Sequence, residues 1–279
     1  MTSFDPPVPI LRDLVTRALA EDLGLLGDVT SIAIVGEDQT AVAALVAREE
    51  GVLAGSAAAT EVYRQIDVNL ALEWRARDGE PIEAGMELAR VIGSLHSILA
   101  GERVALNLVS HCSGVASLTR RYVRAARGRV RIRDTRKTLP GLRALQRAAV
   151  RAGGGFNHRD SLSDAILIKD NHLAVLGVAR AVERSRARWP GRIIEVECDT
   201  LEQVKEAASV GVDIVLLDNM SPETVTQAVL LLEGAAKVEV SGRVSVDEVA
   251  AYAETGADFI SVGALTHSVR ALDIGLDIL

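Results

Sequence analysis

The chain has 279 residues, 48% hydrophobic and 25% charged, a globular balance with length enough for two domains. Its formal net charge of −7 argues against a surface built for nucleic acid, though not against a local basic pocket. No apolar run reaches the roughly 18 residues of a membrane span and no basic-then-apolar leader opens the chain, so we expect a cytoplasmic protein with no nucleic-acid or membrane partner.

The first part reads as a small α+β unit. Pro9 to Ala20 has helical spacing, with Ile10, Leu11, Leu14, Val15 and Leu19 on one side. A loop follows at Asp22, Gly24, Gly27 and Asp28. Ala41 to Ala47 reads as a strand, and Glu50-Gly51 turns into a short second one, Val52 to Ala54. Gly55 to Ile66 has helical spacing. Leu70 to Ala76 and Met86 to Ile92 read as strands, punctuated by Asp78-Gly79 and Pro81. The turn rhythm from Asp78 to Gly93 resembles a biotin- or lipoyl-carrier sandwich, but no lysine precedes Lys137 to be modified. Leu95 to Ala126 is a long helical stretch, with Gly101 and Gly114 as candidate breaks.

From Val130 the pattern changes. Short β-branched runs end in polar or small residues and lead into helical segments: Val130–Asp134, Ala165–Lys169, Ile193–Glu197, Asp213–Asp218, Lys237–Ser241 and Asp258–Gly263. Alternating β and α implies a parallel sheet, and near-continuous apolar runs suit strands buried on both faces. About six units fit an incomplete β/α barrel or an open doubly wound sheet. The strand ends favour the barrel, because side chains there converge on one mouth. We expect an α/β protein with an N-terminal α/β sandwich domain and linker helix over 1–112 and an incomplete, about six-stranded, β/α barrel over 113–279.

Candidate chemistry sits at those strand ends. Asp134-Thr135-Arg136-Lys137-Thr138 offers two cations and two hydroxyls to an anion, although such a cluster can be merely solvated. Only Lys137, Lys169, Lys205 and Lys237 are lysines, so a lysine within a motif is less apt to be incidental. Gly153-Gly154-Gly155-Phe156-Asn157-His158-Arg159 sets glycines, which permit close approach, beside two donors. It is neither a Walker loop nor a dinucleotide fingerprint. Lys169 ends a hydrophobic strand and reads as an anion ligand, a structural ion pair or a Schiff-base lysine. Glu195 and Glu197 face the same way. Glu197 and Asp218 close neighbouring runs and could hold ribose hydroxyls or a divalent ion. Ser241-Gly242 and Gly263-Ala264 precede helical segments, where exposed N–H groups suit a phosphate. Cys112 and Cys198 read as buried small hydrophobes. His96, His111 and His267 share no ligand spacing, and Trp74 and Trp189 carry no site signal.

Several runs together resemble the quinolinate phosphoribosyltransferase family: Arg133-Asp-Thr-Arg-Lys-Thr-Leu-Pro-Gly-Leu-Arg143, Gly153-Gly-Gly-Phe-Asn-His-Arg159, Leu167-Ile-Lys-Asp-Asn-His172, Glu195-Val-Glu197, Leu216-Leu-Asp-Asn219 and Val262-Gly-Ala-Leu-Thr-His-Ser268. Glu102-Arg103 with Leu106-Asn107-Leu108, and Asp28-Val-Thr30, resemble its linker helix and N-terminal loop. The resemblance covers nearly the whole chain in family order. It implies transfer of a phosphoribosyl group from phosphoribosyl pyrophosphate to quinolinate, with Mg²⁺, giving nicotinate mononucleotide, pyrophosphate and carbon dioxide in NAD synthesis. It implies a homodimer whose sites are shared between subunits, Arg103 reaching the partner's site. Arg103, Arg136, His158, Arg159 and Lys169 would hold the two carboxylates, with Thr135 and Lys137 completing the basic wall. Glu197 and Asp218 would bind ribose hydroxyls and help place the metal. Ser241, Gly242, Gly263 and Ala264 would cradle the 5′-phosphate, and Lys137, Lys169, Glu197 and Asp218 are the expected catalytic set. Many relatives have Ser-Gly-Gly where this chain has Ser241-Gly242-Arg243. A sister phosphoribosyltransferase acting on nicotinate or another pyridine acid, a Schiff-base aldolase using Lys169 and a non-catalytic phosphosugar sensor are the rival readings.

Overall fold

The structure is a computed structural model and describes residues 4–279. In chain order the elements are α1 (Val8–Leu23), α2 (Val29–Ile34), β1 (Thr40–Ala47), β2 (Gly51–Val52), α3 (Ser56–Ile66), β3 (Ala71–Trp74), β4 (Pro81–Ile82), β5 (Glu87–Ser94) and the long α4 (Leu95–Ala126). They continue with β6 (Arg131–Arg133), α5 (Arg143–Ala152), β7 (Ile166–Ile168), α6 (Asp170–Leu176), α7 (Val178–Arg188), β8 (Ile194–Cys198), α8 (Leu201–Ser209), β9 (Ile214–Asp218) and α9 (Pro222–Leu232). Last come β10 (Lys237–Ser241), α10 (Val249–Ala253), β11 (Phe259–Ser261), α11 (Ala264–His267) and β12 (Ile274–Ile278).

Two compact units divide these elements, and neither is one stretch of chain. The first takes the residues up to Arg120, then Thr138–Gly154 and Ala264–Leu279; the second takes Arg121–Lys137 and Gly155–Gly263. The boundary expected near residue 112 falls within α4, which continues through it.

In the first unit a four-stranded antiparallel sheet has the order β12-β1-β5-β3, beside a β2-β4 pair. Tyr63, Leu45, Leu53, Ile82, Leu88 and Ile98 are fully buried there. α1 turns Leu11, Leu14, Val15 and Leu19 inward at the spacing of one helix face. Asp78, expected only as part of a turn, caps α3: its carboxylate accepts the N–H groups of Gly55 at 2.9 Å and Ser56 at 3.2 Å. α4 is unbroken at both candidate glycines. They serve close packing, since a Cβ at Gly101 would press on the Tyr63 ring and one at Gly114 would collide with the Arg270 carbonyl. The Gly153-Gly154 pair likewise ends α5, where a Cβ on Gly153 would strike the Ala116 carbonyl and Thr119. The first glycine of this motif is therefore spent on packing, and the second takes a left-handed turn at φ +91°.

The second unit holds six parallel strands in the order β6-β11-β10-β9-β8-β7. From β7 to β11 the strands lie side by side in chain order, and the first strand, β6, then pairs with the last, β11. That cyclic order is a barrel's, with one seam between β6 and β7. Along the seam Phe156 extends the β6 edge, donating to the Ile132 carbonyl at 2.8 Å and accepting from the Asp134 N–H at 3.1 Å.

Period-two alternation sorts the strand residues. Ile194, Val196 and Cys198 on β8, Val215 and Leu217 on β9, and Val238 and Val240 on β10 are buried and share one phase. The other phase is largely polar: Glu195 and Glu197, Asp218, Glu239 and Ser241, Ser261 and Arg133. The strands are thus buried on both faces, as their composition suggested, but the inner face is charged. Both cysteines are free and buried, as expected of small hydrophobes.

Candidate active site

A cavity of about 360 Å³ opens in the second unit, lined by both strand residues and strand-end loops. Of the residues expected at a site, it gathers Thr135, Arg136, Lys137, His158, Arg159, Lys169, Glu197, Asp218 and Ser241. Leu167, Leu216, Glu239 and Ser261 complete it. Gly242 adjoins Ser241, while Gly263 lies just beyond β11 and outside the lining. Arg103 and Ala264 belong to the first unit; Arg103 is exposed on α4, and the cavity is lined without either.

The cationic wall is built by local backbone logic. Asp134, fully buried at the end of β6, accepts the His158 N–H at 2.7 Å and the Asn157 side-chain amide at 2.6 Å. That anchors the loop carrying His158 and Arg159 beside the one carrying Arg136 and Lys137. The Arg159 guanidinium donates to the Ala165 carbonyl at 2.9 Å. Burial, and then the charge of Arg136, lower the Arg159 pKa, a like-charge effect that an anionic ligand would relieve. Lys169 leaves β7 at the start of α6, where its N–H donates to His172 Nδ1 at 2.9 Å. Its Nζ is ion-paired with Glu197, so the amine is engaged by a carboxylate rather than held alone in an apolar pocket, as a Schiff-base lysine would be.

Below that wall lies a buried network that the sequence reading missed. Glu239, with no exposed surface, pairs with Arg133 and accepts the Ser261 hydroxyl. Arg133 also sits 4.5 Å from the Phe259 ring centroid. His158 Nε2 lies 3.2 Å from both Glu195 and Glu239. Burial alone would raise the Glu239 carboxyl, but His158, Arg133 and Ser261 hold it below the ordinary range. Glu195 goes the other way, raised by burial and then by the charge of Glu239, against the pull of His158 and Arg133.

Two effects oppose each other at His158. Burial disfavours a charged ring, yet hydrogen bonds and charge from Glu195 and Glu239 outweigh it and push the ring up to about 9. The Arg159 N–H, however, donates to Nδ1 at 2.7 Å and so needs a lone pair there. Nε2 thus carries a proton that faces Glu195 and Glu239 alike. Both nitrogens are therefore occupied by the chain itself.

Alternation could have found these residues. Stepping back two positions from Ser241 and Gly263 gives Glu239 and Ser261, the same step that joins Glu197 to Glu195. Arg243, where relatives often have glycine, is exposed.

On the other side of the cavity Asp218 ends β9, and Ser241 is its Cα partner at the end of β10. Asn219, directly after Asp218, is left-handed at φ +53° and donates its side-chain amide to Asp218 Oδ2 at 2.6 Å. One mouth thus presents guanidinium and ammonium groups beside carboxylates and hydroxyls, suited to a ligand anionic at several points.

Known proteins resemble this one along its length. The family model described as quinolinate phosphoribosyl transferase matches through its N-terminal domain over residues 28–113 and its C-terminal domain over residues 115–277. The nicotinate-nucleotide pyrophosphorylase (carboxylating) of Mycobacterium leprae is 45% identical, over 96% of each chain. A probable enzyme of the same name from Bacillus subtilis is 42% identical, over 96% of this chain and 93% of that one. The solved nicotinate-nucleotide pyrophosphorylase of Francisella tularensis superposes with a TM-score of 0.93 at 39% identity, covering 98% of this chain and 97% of that one.

Proposed function

This chain belongs to the quinolinate phosphoribosyltransferase family, and we propose that it transfers the phosphoribosyl group of phosphoribosyl pyrophosphate to quinolinate with loss of carbon dioxide. The products are nicotinate mononucleotide and pyrophosphate, a step of NAD synthesis. One observation carries the reading: a single cavity joins a cationic wall, the carboxylates of Glu197 and Asp218 and a strand-end serine, in a chain whose two domains match the family over residues 28–113 and 115–277.

Arg136, Arg159 and Lys169 take the two quinolinate carboxylates, with Thr135 and Lys137 beside them and Lys137 extending toward the pyrophosphate. A planar guanidinium suits a carboxylate's two oxygens. His158, with both nitrogens engaged, serves the same wall through Arg159 and its ring edge. Glu197 and Asp218 face the ribose hydroxyls. Ser241, Gly242 and Gly263 receive the 5′-phosphate.

The pyridine nitrogen attacks the ribose C1 as its bond to pyrophosphate breaks, the bonding electrons leaving with the pyrophosphate oxygen. Positive charge on the ribose is stabilised by the two carboxylates. The bond from C2 to its carboxylate then breaks, its electrons are drawn by the cationic ring nitrogen, and a proton from solvent completes C2. No protein nucleophile is needed. Much of the acceleration comes from holding two mutually repelling anions together.

Mg²⁺ fits the donor set. It is a hard cation commonly held by one or two carboxylates and by substrate phosphates. Asp218 would be its protein ligand, with Glu197 contributing indirectly because Lys169 already engages it. When bound, the ion neutralises the pyrophosphate. A homodimer with shared sites and a cytoplasmic location complete the proposal; Arg103, exposed on α4 and outside the cavity of its own second unit, is the residue such sharing would bring to the partner's site. No helix among the described residues is long and apolar enough to cross a membrane.

The test is release of pyrophosphate and carbon dioxide from the purified protein with Mg²⁺ and phosphoribosyl pyrophosphate. Equal release of both with quinolinate, and none with nicotinate, is expected. Pyrophosphate released with nicotinate alone would assign the sister activity instead.

A further inference from the structure

The exit from β9 carries a feature that the roles above leave unused. Asn219 takes a left-handed backbone at φ +53°, a region asparagine tolerates better than most residues do. Its backbone N–H donates to the Ser241 carbonyl at 3.0 Å, and its side-chain amide donates to Asp218 Oδ2 at 2.6 Å. The facing residue, Gly242, has φ +127°, and a Cβ there would stand 2.6 Å from Asn219 Oδ1 and 3.1 Å from its nitrogen. One residue therefore touches the end of β9 and the end of β10 together, on a ladder where Asp218 and Ser241 are already Cα partners. The next residue is held as well, since the Tyr252 hydroxyl donates to the Met220 carbonyl at 2.9 Å.

We infer that Asn219 is a positioning residue for the phosphoribosyl half of the site: its amide holds Asp218 by one oxygen, and its backbone fixes Asp218 at a set distance from Ser241-Gly242. Among the described residues no hydrogen bond falls on Asp218 Oδ1, and Asp218 lines the cavity, which leaves that oxygen for a ribose hydroxyl. The inference rests on the proposed roles of Asp218 and Ser241. It adds that the ribose and phosphate subsites are coupled through one side chain, which touches no part of the quinolinate wall.

The prediction is a split between substrates. Asn219→Gly keeps the left-handed backbone and removes the amide. It should raise KM for phosphoribosyl pyrophosphate about tenfold, the equivalent of one lost hydrogen bond of about 1.4 kcal/mol, and leave KM for quinolinate nearly unchanged. Calorimetry with ribose 5-phosphate in Mg²⁺-free buffer should show the same weakening, with the thermal midpoint preserved. Asn219→Asp, which keeps the shape but puts charge where the donor was, should do the same and stands in if the glycine variant folds poorly. Wild-type binding in either variant overturns the inference, as does an equal rise in both KM values. Asp218→Asn separates the two levels. If it impairs phosphoribosyl binding while Asn219→Gly does not, only the role of Asn219 falls. If neither affects it, the proposed ribose site falls too.

Discussion

Lys169 and Glu239 occupy the same cavity and should fail in different ways when changed. Lys169 is exposed, and Glu197, though largely buried, lines the open cavity beside it. Lys169→Ala should lower kcat by about 10²-fold or more, as lost electrostatic stabilisation does, with an unchanged unfolding midpoint in urea. Glu239 is fully buried against Arg133 and His158. Removing one member of a buried pair strands the others, so Glu239→Gln should cost about 3 kcal/mol of stability, measured by urea denaturation. Its pH signature has a definite sign. A carboxyl held below its ordinary value contributes stability that is present above the unfolded carboxylate pKa and is lost as pH falls through the folded one. Glu195, raised by burial, has the opposite sign. The contribution of Glu239 is therefore the difference between wild type and variant: the gap should be widest at neutral pH and close below the ordinary carboxylate range. A gap independent of pH would refute the charge assignment. At this scale the sequence was most legible where a residue closes a strand, since Lys169, Glu197, Asp218 and Ser241 all meet in one cavity. It was least legible one layer down. Glu239 and Ser261 lie inside apolar runs, where only a step of two back from the strand ends picks out the polar inward phase.

Among the elements, all six C-terminal strands fall within a residue or two of the runs read from the sequence, because β-branched runs closed by polar residues mark buried parallel strands well. The long helix was legible too, apart from the suggested breaks. A glycine in a helix signals either a weak point or a close neighbour, and only the fold reveals that Tyr63 and the Arg270 carbonyl are those neighbours. Three elements escaped: the two-residue β4, α2, a six-residue helix capped by the Asp28 carboxylate at the N–H groups of Thr30 and Ser31, and β12. The last is five residues near the end of the chain, and it becomes a strand by pairing with β1 from Ala43 to Ala47. That pairing is a long-range fact invisible to local pattern. It implies that a chain ending at Asp273 leaves β1 with an unpaired edge, which favours association. Light scattering should show aggregation of the shortened chain at concentrations where the full chain stays clear, and a clear, natively folded truncation would show that β12 is dispensable.

For the whole molecule, the shared-site proposal makes a quantitative statement. If Arg103 serves the partner's site, a subunit carrying Arg103→Ala and another carrying Lys169→Ala are each inactive with themselves. Mixed dimers hold one site built wholly of wild-type parts. Unfolding and refolding the two variants together in equal amounts should restore roughly a quarter of wild-type activity, since half the dimers are mixed and each has one working site. Silence after mixing would place Arg103 in its own subunit's site or in none. The two-unit organisation was legible as a change of pattern near residue 130, but its interleaving was not. The first unit gathers three separate stretches of chain, the last of them supplying β12. Timing follows from this. Domains generally form from the N-terminus as the chain is made, yet here the earliest-made sheet waits for the latest-made strand. The second unit's residues are all synthesised while β1 still has an open side, so the order of completion runs opposite to the order of synthesis.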